Sequence, residues 1–255
     1  MILVDANNYI KRIYHSGQDP YEMFLNFIDS RRDQRIEVVC DTSTSREARR
    51  EIYPDYKKGR NTDSDPVYFT IYDNIVTIAQ HFDNCVVVKV NRGEADDYIM
   101  TRAESGDTVI SNDKDLWPLV GKDVSILIAG STKVDRQLIE SKFHYPDPEL
   151  IYVNKALVGD SSDKIKGKMR FGKAAYAKLT REQLYYIKDR LETNGTGTGM
   201  AQGDDDLDAL ANDESVKLSW KLVNQMDCEV VTLPTIHTPL QDFLDANDIN
   251  ILGSV

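Results

Sequence analysis

The sequence predicts a doubly wound α/β fold, with a mostly parallel sheet and helices on both faces. Two observations carry this. Short, continuous, β-branched apolar runs recur through the first 150 residues, and stretches with helical spacing lie between them. Such runs fit strands buried on both faces, and their alternation with helices fits a parallel α/β architecture. A third observation bears on function: three of the runs meet an aspartate at or just past their carboxyl ends.

MILV at 1–4 is the first run and ends in Asp5. Residues 20–31 place Tyr21, Phe24, Leu25 and Phe27/Ile28 at helical spacing, and EVVC at 37–40 then ends in Asp41. Residues 67–82 read as a helix and VVVKV at 86–90 as a strand. A helix over 94–104 follows Gly93, with acids at its start, where they favour a helix N-terminus. DTVIS at 107–111 precedes Asn112 and Asp113, and VSILIA at 124–129 is the last run. Residues 1–150 therefore read as one α/β domain.

Residues 151–255 read as a helical region with a C-terminal tail. Helices at 149–159 and 171–179 flank the loop GDSSDKIKGKMR, and further helices cover 181–192 and 215–226 before a strand-like CEVVTLP. Four glycines fall within 195–203, next to an acidic run, so 193–213 reads as a flexible insertion.

Composition excludes several classes. Apolar residues make up 41% of the 255, enough for a full core, and no apolar run approaches the roughly 20 residues of a membrane helix. Asp5 interrupts the N-terminus too early for a secretory signal. Three cysteines without a CxxC pair argue against a disulfide framework or a thiolate zinc site, so a cytoplasmic location without membrane attachment is expected. A net charge of −11, taken alone, argues against a nucleic-acid partner.

The carboxylates change that reading. Ligands of open parallel sheets bind outside the strands' carboxyl ends. Any one aspartate there would serve equally as a helix cap, but Asp5, Asp41 and Asp113 together imply a shared acidic site. GEADDYI adds Glu94, Asp96 and Asp97; SNDKDL adds Asp115; GDSSDK adds Asp160 and Asp163. The alternative is a set of solvated helix ends and turns. Clustered oxygen ligands without His or Cys select hard cations, Mg²⁺ or Mn²⁺. Two such ions about 4 Å apart activate water and stabilise the leaving oxygen in phosphodiester hydrolysis. A basic counterpart lies nearby. SREARREIYPDYKKGR at 45–60 interleaves Tyr53 and Tyr56 with Arg46, Arg49, Arg50, Lys57, Lys58 and Arg60. A second basic group, Lys164, Lys166, Lys168, Arg170, Lys173 and Lys178, runs through a glycine-containing loop into a helix, a pattern that suits phosphate.

LVDANNYIKRIY, RREIYPDYKKGR, GEADDYI, VISNDKDLWPLV, KALVGDSSDKIKG and ESVKLSWKLVNQMDCEVVTL appear in the order found in structure-specific 5′ nucleases. The chain resembles that family (flap endonucleases, phage 5′–3′ exonucleases and the 5′-nuclease domain of bacterial DNA polymerase I) over roughly 1–179 and 214–233. A free-standing phage-type member, working in a host cytoplasm, is the better fit. The resemblance implies a PIN-like domain, a helix–three-turn–helix motif over about 157–179, and hydrolysis near 5′ ends, flaps or nicks in DNA, with RNA/DNA primers among the substrates. It implies a monomer using two Mg²⁺, replaceable by Mn²⁺. By motif position, Asp5, Asp41, Glu94 and Asp96 surround one metal, and Asp113, Asp115, Asp160 and Asp163 hold the second, with Asp97 between. Lys57 and Arg60 match the basic pair of the gateway helix, and the catalytic set is Lys57, Arg60, Asp5, Asp41, Asp96 and Asp113. Arg49 and Tyr56 match neighbouring phosphate- and base-contacting positions. Lys164, Lys166, Gly167, Lys168, Arg170, Gly172 and Lys173 would meet the duplex backbone, in many members with a K⁺ held by loop carbonyls. The loop here is GKMRFGKAA, with Arg170 in place of a glycine and no proline. A PIN-type ribonuclease, a junction-binding protein without activity and a structural Ca²⁺-binding protein are the rival readings.

Overall fold

The strands are β1 (Ile2–Asp5), β2 (Ile36–Asp41), β3 (Cys85–Asn91), β4 (Thr108–Ile110), β5 (Ser125–Ile128), β6 (Thr132–Lys133) and β7 (Glu229–Thr232). The structure is a computed structural model that describes residues 1–59, 65–128, 131–193 and 205–250. The strands form one sheet in the order β6-β5-β4-β1-β2-β3-β7. β1 to β5 run parallel, and β6 and β7 add antiparallel edges. The expected doubly wound, mostly parallel sheet is present.

The helices are α1 (Ala6–Tyr14), α2 (Pro20–Asp29), α3 (Glu47–Ile52), α4 (Pro66–Gln80), α5 (Ala95–Arg102), α6 (Arg136–Phe143), α7 (Ile151–Val158), α8 (Lys173–Tyr176), α9 (Arg181–Glu192), α10 (Asp205–Ala211), α11 (Glu214–Val223) and α12 (Leu240–Ala246). Short 3-10 helices cover Lys114–Lys122 and Pro148–Leu150. Alternation along the strands feeds two cores. Ile2, Val4, Val38 and Ile110 pack under α1, α2, α4 and α12, whereas Leu3, Val39 and Val109 pack under α5, α6 and the Lys114–Lys122 turn. A third apolar cluster joins α7, α9, α10 and α11 through Leu157, Leu184, Leu207 and Val216. No helix among the described residues is long and apolar enough to cross a membrane.

Two sequence expectations need correction. The basic helix expected to reach residue 60 ends at Ile52, because Tyr53 precedes Pro54 and the proline ring drives the preceding residue out of the helical region. The insertion expected over 193–213 is helical in its last part: α10 buries Leu207 and Ala211 one turn apart against the third cluster. Its residues 194–204 lie outside the described ones. The tail returns to the sheet, with β7 on β3 and Leu244 of α12 in the first core. Helices α1, α6 and α12 were not anticipated.

Candidate metal centre and nucleic-acid interface

From β1 the chain winds outward through β2 and β3, then crosses back to continue outward through β4 and β5. The winding reverses between β1 and β4, the place where open sheets bind ligands. Asp5 closes β1 and caps α1: Asn8 N donates to its Oδ1 at 3.1 Å and Ser111 Oγ to its Oδ2 at 2.8 Å. Asp41 closes β2 and accepts from Asn7 Nδ2 and Ala95 N, each at 2.7 Å. Burial, then the charge of Asp41 and that of Asp113, push the Asp5 carboxyl up to about 7. Burial and Glu94 raise Asp41 in the same way. Asp96, half-buried on the first turn of α5, is driven well above the carboxylate range by burial and by repulsion from Asp97 and Glu94.

Glu94 precedes α5 and is buried. Lys57 Nζ donates to its Oε1 at 2.7 Å, and Tyr56 OH donates to its Oε2 at 2.6 Å. Burial alone would raise Glu94, but Lys57 and Arg49 outweigh it and hold the carboxyl below its ordinary value. Lys57 Nζ also lies 3.6 Å from Asp163 Oδ2, so this ammonium spans from α5 to the loop after α7.

That loop carries the second group of acids. Asp160 and Ile165 pair antiparallel through two backbone bonds of 2.9 Å. Gly159 and Gly167 hold φ of +88° and +64°, and a Cβ on Gly167 would lie 2.4 Å from Gly159 N. The closed turn brings Asp160 and Asp163 beside Asp115, with one carboxylate oxygen of each within 4.8 Å of the others. Asp113 caps the 3-10 turn, its Oδ1 accepting from Asp115 N at 3.0 Å, and its own N–H reaches Ser111 Oγ at 3.0 Å. Ser111 thus links the Asp5 end of the site to Asp113. Burial opposes the ionisation of Asp160, yet Lys155 and Ser162 bring its carboxyl down to about 2.

Carboxylate oxygens are the donors offered by Asp115, Asp160 and Asp163, and at the strand ends burial, reinforced by neighbouring acidic charge, raises Asp5, Asp41 and Asp96. Those features fit hard divalent cations.

Several expected residues stand elsewhere. Asp97 does not face the shared site. Arg49 donates to it twice, at 2.5 and 2.8 Å, and the backbone N–H groups of Glu94 and Met226 donate to it at 2.9 Å each. Arg49, expected to contact phosphate, is buried and also reaches the carbonyls of Leu222 and Asn224. It ties α3 to α5 and to the end of α11. Tyr56, expected to meet a base, is 2% exposed. Lys168 is ion-paired with Asp213. Arg60 lies outside the described residues. Lys164, Lys166, Arg170, Gly172 and Lys173 are exposed, while Gly167 is buried with its N–H on Ser219 Oγ at 3.2 Å.

Sequence reasoning missed Lys155, which is buried on α7 and paired with both Asp115 and Asp160. A lysine within the apolar stretch IYVNKALV was the available signal. It also missed Asn7, Asn8 and Ser111, which orient the acids, and Lys114 and Lys142. These two lysines join Asp113, Asp160 and Lys173 around a cleft of about 490 Å³.

A parallel sheet with carboxylates gathered at its switch point, and a glycine-hinged basic loop beside them, defines the PIN-like class of nuclease folds. Residues 1–144 match the model of the 5′-3′ exonuclease N-terminal, resolvase-like domain, and the chain belongs to that family. It is similar to the thermostable DNA polymerase I of Thermus filiformis, 25% identical over 201 residues, which are 71% of this chain and 24% of that protein. It is also similar to the 5′-3′ exonuclease of Aquifex aeolicus, 30% identical over 154 residues, 57% of this chain and 51% of that protein. The chain thus spans about a quarter and about half of these relatives. In fold it is similar to the bacteriophage T5 protein crystallised with metal ions, with a TM-score of 0.63 at 20% identity over 87% of each chain. The T5 flap endonuclease in complex with DNA and metal ions gives 0.61 at 18%, covering 87% of this chain and 86% of that one.

Proposed function

We propose that this chain is a structure-specific 5′ nuclease that hydrolyses DNA phosphodiesters near 5′ ends and at 5′-flap/duplex junctions, with a role in replication, primer removal or repair. The observation that carries the reading is the approach of Asp115, Asp160 and Asp163, one carboxylate oxygen of each within 4.8 Å of the others, beside Asp5, Asp41 and Asp96, the acids that burial and neighbouring acidic charge raise at the strand ends and the start of α5. Asp5, Asp41, Glu94 and Asp96 would hold one Mg²⁺ or Mn²⁺, and Asp113, Asp115, Asp160 and Asp163 the other. Such ions supply the polarisation of the phosphate and the activation of water.

The chain's own groups do the rest. Lys57 brings a buried ammonium to the boundary between the clusters, where it neutralises charge on the scissile phosphate. Arg60 is assigned to the same task. Asn7, Asn8 and Ser111 fix the carboxylates by hydrogen bonds and so keep their oxygens convergent. Lys164, Lys166, Arg170 and Lys173, on the 159–172 loop and α8, hold the duplex backbone without reading its sequence. A K⁺ in the same loop belongs to this proposal and is tested by comparing duplex affinity in KCl and NaCl.

The deciding assay uses a 5′-labelled flap, with Mg²⁺ and with EDTA. Asp113→Ala and Asp160→Ala abolish Mg²⁺-dependent cleavage and leave DNA binding largely intact. Unchanged turnover in either variant overturns the assignment. Single-stranded RNA is the control substrate, and its preferential cleavage by the native chain overturns the DNA reading.

A further inference from the structure

Lys155 has no part in the scheme above, yet it is among the most constrained charges in the molecule. It sits on α7 between the buried Asn154 and Ala156, with the residue 7% exposed, and its Nζ pairs with Asp160 Oδ2 at 2.8 Å and with Asp115 Oδ1. A buried lysine is tolerated only where carboxylates compensate its lost hydration. Here the two compensating groups are two of the three that approach one another in the second cluster.

We infer that Lys155 is a resident cation of the second carboxylate cluster, which a divalent ion must displace to take up Asp115 and Asp160 together. The inference rests on the proposed two-ion reading and adds an order of filling to it. With its lysine in place, the trio of Asp115, Asp160 and Asp163 carries two net negative charges rather than three. It therefore holds a second ion more weakly than its acids alone would. Lys57 also reaches Asp163, at 3.6 Å, and lowers the field further. The displaced ammonium can stay beside the cluster, because Lys155 lines the cleft of about 490 Å³ that Asp113 and Asp160 also line. Filling of the second cluster is thereby set by competition with a tethered charge.

The test is Mn²⁺ binding to the full chain without DNA, followed by calorimetry and by electron paramagnetic resonance. The native chain shows a tighter and a weaker site, and Asp160→Asn removes the weaker one. In Lys155→Met and Lys155→Gln the weaker site tightens by about tenfold or more, as loss of a unit charge a few ångströms away requires. Lys155→Arg keeps the charge and stays close to the native value. Unchanged or weaker binding in the two neutral variants overturns the inference, as does Lys155→Arg tightening as much as Lys155→Met. If Mn²⁺ binds to none of the proteins, the two-ion reading itself has failed. The native chain supplies a measurement free of folding effects: the side-chain amine resonance of Lys155 shifts during a Mg²⁺ titration with the midpoint of the weaker site. A resonance that stays put overturns the inference.

Discussion

At the scale of single residues, the site divides into groups that need a cation and groups already satisfied. Asp5 is of the first kind. Its carboxyl lies near 7 in the folded chain through burial and the charge of Asp41, against an ordinary 3.8. Between those two values the folded state holds a proton that the unfolded state has lost, so stability falls as pH rises from about 4 to about 7. In EDTA the melting temperature is therefore lower at about pH 7.5 than at about pH 5. Asp5→Asn flattens that slope, and Mg²⁺ raises the pH 7.5 value; a flat native profile would contradict the environment described. Asp160, held down to about 2, contributes in a separate window, since its stabilisation is lost only as pH falls below about 4. Arg49 is of the second kind. Arg49→Met leaves Asp97 buried without its partner and is expected to cost about 3–5 kcal/mol in urea unfolding, as broken buried pairs do. A loss below about 1 kcal/mol would return Arg49 to the surface role that its motif position implies. The strand-end acids were legible because a short apolar run ending in Asp is a local pattern. The burial of Arg49 was not, because its partners lie 48 residues away at Asp97 and 173 away at Leu222.

At the scale of elements, the loop after α7 shows how backbone geometry sets the second cluster. Gly167 works at positive φ with its Cα against the backbone of Gly159 and Leu157. Gly167→Ala meets both a disfavoured conformation and backbone atoms that cannot yield. It is expected to destabilise the chain by more than about 1 kcal/mol and to weaken Mn²⁺ binding at the second cluster. Gly172→Ala, with nothing near its absent Cβ, is the control and leaves both measurements nearly unchanged. The same region marks the limit of reading elements from sequence. The capping box of α9, Thr180 with Gln183, is local, and that helix was placed at its observed bounds. The break of α3 was equally local, at Tyr53–Pro54, but the match of Lys57 and Arg60 to the family's gateway helix implied a longer helix. Lys155 escaped notice for the opposite reason: α7 carries no acid to pair with it, and only the fold brings Asp115 to it.

At the scale of the whole molecule, the net charge of −11 and a DNA substrate are compatible because the charges are segregated. Nine of the 42 acids belong to the candidate site or its supports, and two divalent ions would return four positive charges to it. The cations proposed to hold the duplex backbone are exposed and gathered on residues 164–173. Counterion release then dominates affinity, with log K falling against log salt by about 0.9 for each duplex phosphate neutralised. If Lys164, Lys166, Arg170 and Lys173 each neutralise one phosphate, Lys166→Ala and Arg170→Ala each make the slope shallower by about one, with little dependence on DNA sequence. Lys168→Ala is the discriminating case. Its ammonium is committed to Asp213, so its removal is expected to leave the slope nearly unchanged while costing some stability. Fluorescence anisotropy with a nicked duplex, in EDTA to prevent cleavage and at several KCl concentrations, measures all three. Equal slope changes for Lys168, Lys166 and Arg170 would mean that DNA opens the Lys168–Asp213 pair, and the interface would then extend to the start of α11.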